Sequence, residues 1–178
     1  MYEDDDFDDD SKEFRDFPIF KKAEAIYDII MRIEQIDAEE QEGLSEYERN
    51  AISDHIDYMV ENASIIPSKI ANALSSDVYN EQMENAAVIR ACAKELLADA
   101  TDLISLGFKD ADYLQILSAE VEEFRMLFVE WIQTFDPSSY SIDRWGLFNP
   151  PGVNYDDPDP DDDLPFDPLD LFNDDDDD

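Results

Sequence analysis

The most restrictive feature of this chain is an apolar ladder at helical spacing that continues straight through a proline. Ile52, Ile56, Met59, Ala63, Ile66, Ile70 and Leu74 each follow the last by three or four residues, which puts them on one face of an α-helix. Pro67 stands inside the ladder. A proline there removes one main-chain hydrogen bond and clashes with the preceding turn, at a cost of about 3 kcal/mol. A long helix keeps such a defect when packing favours the kink. Ala63, Ser64, Ser68, Ala71 and Ala73 flank the proline, so another backbone has room to approach. The stretch is read as the core face of a kinked helix.

Three more helices follow from the same reasoning. Pro18 opens the first, at a position where a missing N–H costs nothing, after Phe14 and Phe17, which are expected to dock on the bundle. Its seam is Ile19, Ala23, Ile26, Ile30 and Ile33, widened by Phe20, Tyr27 and Ile29, and a polar turn over 39–43 ends it. Ser45 and Glu48 form a capping box that starts the second helix. Asp77 is the expected N-cap of the third. The seam assigned there is Tyr79, Met83, Ala86, Ala93, Leu97, Ala100 and Ile104, with Ile89, Leu96 and Leu103 beside it. Arg90 falls on that seam and needs an acid, Glu95 or one on another helix. Gly107 stops the helix in the left-handed conformation, and Asp110 caps the fourth. The fourth presents Leu114, Leu117, Val121, Phe124, Phe128, Trp131 and Phe135 before Asp136-Pro137 ends it. Short polar turns between such helices predict an all-α, up-down-up-down four-helix bundle. No stretch alternates as a strand would.

Ile65-Ile66-Pro67-Ser68-Lys69-Ile70-Ala71 resembles the Ser-Ile-Pro-x-Asn-Ile-Ala-Glu-Gly signature of the 23S rRNA intervening-sequence proteins. The accessory proteins of diversity-generating retroelements are similar in pattern. Ile89-Arg90-Ala91-Cys92-Ala93-Lys94-Glu95-Leu96 resembles that family's Ile-Ala-Arg-Gly-Ser-x-x-Glu-Leu helix, with Glu95 at its glutamate. The match spans 17–135 and departs at Ile65, Lys69, Asn72 and Ala73. It implies packing roles for Ile66, Pro67, Ile70, Ala71, Arg90 and Glu95. It also implies self-assembly into a five-fold homo-oligomer and an accessory, nucleic-acid-associated role.

Charge divides the chain differently. Forty-eight acids stand against 12 bases, a net of −36. Seven of the acids lie in 3–10 and thirteen in 156–178, with no base in either stretch, so the middle still carries about −16. The expected organisation is an acidic disordered arm (1–13), the bundle (14–137), a partly docked aromatic segment (138–150) and an Asp/Pro-rich disordered tail (151–178). Tyr140, Ile142, Trp145, Leu147 and Phe148 are too apolar for a free linker. They are expected to cover apolar surface, and Trp145, Leu147 and Phe148 are candidate contacts for a partner. In the tail, Leu164, Phe166, Leu169, Leu171 and Phe172 form a candidate linear motif. Cys92 is the only cysteine, which rules out an intramolecular disulfide, and it reads as a small buried hydrophobe. With no apolar run of about 18 residues and no signal segment, a soluble cytoplasmic protein is expected.

Enzymatic readings find little support. His55 is the lone histidine, beside Asp54 and Asp57, whereas a di-iron bundle needs paired Glu-x-x-His motifs. No Gly-rich phosphate loop can be built from four glycines. Polyaspartate gathers counterions without forming spaced metal ligands, so no cofactor is expected. An acidic surface repels phosphate backbones, which disfavours direct nucleic-acid binding and points to a basic protein as partner. The leading expectation is a non-enzymatic interaction module. The alternatives are a nucleic-acid mimic, with carboxylates in two rows imitating phosphates, and retention of the family's nucleic-acid role through Lys21, Lys22, Arg32, Lys69, Arg90 and Lys94.

Overall fold

The computed structural model describes residues 14–36 and 43–158. Four helices follow one another: α1 (Pro18–Glu34), α2 (Glu46–Leu74), α3 (Tyr79–Ser105) and α4 (Ala111–Ile132). The 1–13 arm, most of the 39–43 turn and the tail motif at 164–172 lie outside the described residues. No strand occurs among those described. Each helix packs on its sequence neighbours, and α1 closes the ring against α4, giving the up-down-up-down bundle.

The start signals act as the sequence indicates in α1 and α2, while α1 ends at Glu34, ahead of the 39–43 turn. Pro18 begins α1, whose buried residues are Ile19, Ala23, Ile26, Ile30 and Ile33. Ser45 Oγ accepts from the Glu48 N–H at 3.3 Å while Glu48 Oε2 accepts from the Ser45 N–H at 2.7 Å, completing the capping box. The Ser45 N–H and hydroxyl, both donating to Oε2, hold the Glu48 carboxyl below its ordinary value. α2 then runs unbroken through Pro67 with Ile52, Ile56, Met59, Ala63, Ile66 and Ile70 buried. Pro67, half-buried, and Ser64 border an open depression together with Glu24, Tyr27 and Asp28 of α1.

The face of α3 is rotated from the expected one. Ala86, Ile89, Cys92, Leu96, Asp99, Ala100 and Leu103 are its buried residues, and Ile104 is exposed. Arg90 therefore points outward and needs no buried partner. The alanines explain the difference: Ala86, Ala87, Ala91, Ala93, Ala98 and Ala100 leave the helix weakly apolar on several sides. Bulk then decides the orientation, because Ile89, Leu96 and Leu103 each remove far more apolar area from water, roughly 1.5–3 kcal/mol apiece.

The caps of α3 also differ from expectation. Asp77 does not cap it. Val78 is the N-cap residue with no side-chain bond, and Ser76 Oγ accepts the Val78 N–H at 3.1 Å. The Tyr79 N–H donates to the Ser139 carbonyl at 2.7 Å, so main chain from beyond α4 caps the helix. At the other end, Gly107 (φ +87°) turns the chain. The Phe108 N–H donates to Leu103 O and the Gly107 N–H to Ile104 O, which is a Schellman closure. Asp110 precedes α4 without a side-chain cap bond. α4 ends at Ile132, and Thr134 and Phe135 tighten the exit by donating to Trp131 O and Ile132 O. The rings of Trp131 and Phe135 meet edge-on, with centroids 4.9 Å apart. No helix of the described residues is long and apolar enough to cross a membrane.

Candidate functional site

The residues after α4 form an ordered loop built around one aspartate. Asp143 Oδ1 accepts the Trp145 N–H at 2.8 Å, and Oδ2 accepts those of Leu147 and Phe148 at 2.8 and 2.9 Å. Asn149 closes the ring, accepting the Asp143 N–H at 2.7 Å and donating to its carbonyl at 2.9 Å. These main-chain donors, Phe148 and Trp145 foremost, hold the Asp143 carboxyl below its ordinary value. Gly146 adopts φ +71°, and a Cβ there would stand 3.4 Å from Tyr155 Cβ. Arg144 Nη1 donates to the carbonyls of Tyr155 and Asp157 at 2.9 and 2.8 Å. The loop is anchored to α3, since Asn80 Oδ1 accepts the Ser141 N–H at 3.1 Å.

This frame presents apolar side chains to water instead of burying them. Trp145 is 96% exposed and Leu147 73% exposed, whereas Phe148 is half-buried and Pro150 buried. Of the expected cover, Tyr140, Ile142 and Phe148 are half-buried, and Trp145 and Leu147 are exposed. Trp145 and Leu147 do not dock, because the three bonds to Asp143 dictate the turn and aim these residues outward. Glu84 and Asn80 of α3, with Asp143, Trp145, Leu147 and Phe148, border a depression of about 330 Å³ beside the loop.

A second surface feature lies between α3 and α4, the most sparsely packed of the four neighbouring helix pairs. A groove of about 370 Å³ runs there, with Leu97, Val121, Phe124 and Phe128 among its apolar lining. Arg90, Lys94 and Arg125, all exposed, stand along it. Arg125 Nε donates to Glu122 at 2.8 Å; Arg90 and Lys94 form no ion pair among the described residues.

The remaining singled-out residues divide between core and surface. Ile66 and Ile70 are buried, Pro67 and Ala71 are half-buried, and Glu95 is exposed. Leu169, Leu171, Phe172 and Phe166 lie outside the described residues. The cations Lys21, Lys22, Arg32, Lys69, Arg90 and Lys94 do not gather. Lys22 is bound to Glu120 and Glu123 of α4 at 2.7 and 2.6 Å, and Lys21 to Asp16. The unforeseen pair is His55 with Asp99, Nδ1 to Oδ1 2.9 Å. Asp99 is the one buried charged residue among those described. No group of three or more His, Cys, Asp or Glu side chains among the described residues is arranged to hold a metal.

Compared with known proteins, the chain matches no family model, no curated protein and no solved structure.

Proposed function

We propose that this protein is a non-enzymatic binding module that docks on a basic protein through the Trp145–Leu147 loop. The observation that carries this reading is a fixed turn holding a tryptophan almost wholly in water. An exposed tryptophan beside an exposed leucine forgoes the free energy that burial would supply, about 1.5–3 kcal/mol for a leucine-sized side chain. Large aromatics of this kind are the residues most often found at the centre of protein interfaces. Pre-ordering by Asp143, Asn149 and Arg144 lowers the entropy lost on binding. The excess of acids on the body supplies the sign: it speeds encounter with a basic surface and turns away phosphate backbones.

Affinity capture with the tagged protein tests the proposal, comparing the parent chain with the Trp145→Ala/Leu147→Ala variant at low and high salt. The expected result is a protein of high isoelectric point, held by the parent at low salt, weakened at high salt and lost from the variant. Circular dichroism should show the variant to be equally helical. Recovery of the same proteins by both forms would refute the loop's role. A gel shift with RNA or DNA at physiological salt would refute the choice of a protein partner.

A further inference from the structure

The groove between α3 and α4 is an anomaly on this molecule. Bases are outnumbered four to one in the chain, 12 against 48, yet three of them line one apolar trough and two have no counter-ion among the described residues. Val129 is 40% exposed there and Leu97, Phe128 and Ile132 are half-buried, so the trough offers apolar surface as well as charge. Its natural ligand is an anionic strip carrying large apolar side chains.

We infer that the occupant is the chain's own C-terminal segment around 164–172, docked within the same molecule. Residues 159–178 contain eleven acids and no base, and among them stand Leu164, Phe166, Leu169, Leu171 and Phe172. Each property of the groove has its counterpart there: leucine and phenylalanine for the trough, aspartates for Arg90, Lys94 and Arg125.

Chain length permits the return. The loop is tied to Asn80 at the first turn of α3. Asn80, Glu84, Ala87, Ala91 and Lys94 succeed one another at spacings of three and four, so one stripe of the helix leads from the loop's anchor to the groove. Fourteen residues at 1.5 Å place Lys94 roughly 21 Å along that stripe. Ile132, the last residue of α4, brings the groove up to the end from which the loop departs. The six residues from Pro158 to Leu164 reach about 20 Å when extended, and eight more follow to Phe172.

This surface is separate from the Trp145 loop, so the inference stands or falls independently of the proposed partner. Docking covers the apolar trough that Arg90, Lys94 and Arg125 border among the described residues.

Paramagnetic relaxation on the full chain tests this directly. Cys92→Ala removes the native thiol, and Asn173→Cys allows a nitroxide to be placed at position 173. The expected result is selective broadening of the Leu97, Arg125 and Val129 amide signals, unchanged when the labelled protein is diluted tenfold. Phe166→Ala/Leu171→Ala/Phe172→Ala keeps every charge and should abolish the broadening. Arg90→Gln/Lys94→Gln should reduce it. Absence of selective broadening would overturn the inference. So would broadening that survives loss of the three anchors, which would mean attraction by charge alone. Broadening that passes from labelled to unlabelled molecules in a mixture would overturn docking within one chain and place the segment on a second copy.

Discussion

The His55–Asp99 pair gives the sharpest quantitative test of the bundle's interior. Asp99 is 8% exposed and its one hydrogen bond among the described residues comes from His55, 2.9 Å away on α2. A carboxylate only accepts, so the imidazole proton sits on Nδ1 and donates. Removing His55 by His55→Ala leaves the buried Asp99 carboxylate without that partner, at the loss of a bond to a charged group worth about 1.5–3 kcal/mol. A chain of this size shifts its melting point by about 2–4 °C per kcal/mol, so a fall of roughly 3–12 °C is expected. Asp99→Ala should cost less, because the imidazole is partly open to solvent and can be hydrated. The double variant should cost less than the sum of the two, with a coupling of about 1–2 kcal/mol. Asp99→Asn keeps an acceptor for the N–H and should cost under about 1 kcal/mol if the bond outweighs the charge. Urea unfolding followed by far-ultraviolet circular dichroism at pH 7 measures all four variants. Additivity of the two alanine substitutions to within about 0.3–0.5 kcal/mol would refute the view that this bond joins α2 to α3.

Three further predictions follow from named contacts. Lys22 bridges α1 to Glu120 and Glu123, which raise its pKa above 10.5. The stabilisation is thus complete at neutral pH and disappears as pH climbs past 10.5 through the raised value; Lys22→Met should cost about 1 kcal/mol at pH 7, a gap to the parent that closes in alkaline melts. Gly107→Ala should cost about 1 kcal/mol for the left-handed backbone alone, since the new Cβ meets nothing nearer than Leu44 Cδ2 at 3.7 Å, and Gly107→Asn should cost less in the same denaturation assay. In the loop, the Asp143 carboxyl titrates below its ordinary 3.8. Its hold on the turn is therefore complete above 3.8 and lost as pH falls through the depressed value, so the Trp145, Leu147 and Phe148 amide resonances should shift together only in that acid range, while Asp143→Asn should show the released shifts already at pH 7.

How much of this was legible in the sequence varied with how one-sided each helix is. The isoleucines of α1 and α2 leave a single apolar face, and Ser45, Glu48, Pro18 and Gly107 mark ends by local chemistry that needs no tertiary context. α3 defeated the same reading because its alanines blur the period, and a seam through Ala93 and Leu97 competes with the real one through Cys92 and Leu96. Asp99 was overlooked since an acid is taken to be solvated, yet its position seven residues after Cys92 and three after Leu96 placed it on the buried face. The Ser139 cap could not be read locally, as its partner lies sixty residues away. Trp145 was misjudged because apolarity predicts a wish for burial, not its fulfilment. Asp143 two residues before it, with Gly146 after, was the available sign of a side-chain-directed turn.

The bond from the Tyr79 N–H to the Ser139 carbonyl also orders events during synthesis. α3 is chemically complete when Ser105 has been made, but the donor at its first turn waits for a residue sixty positions later. At about 5–20 residues per second, that interval is roughly 3–12 s. Over this time the corner between α2 and α3 lacks that bond and is held by Ser76 and by Gln82, whose Nε2 donates to the Ala73 and Ser76 carbonyls. A nascent chain halted before Ser139 carries four helices with an open corner, and the same stretch of chain that displays Trp145 is the one that closes it.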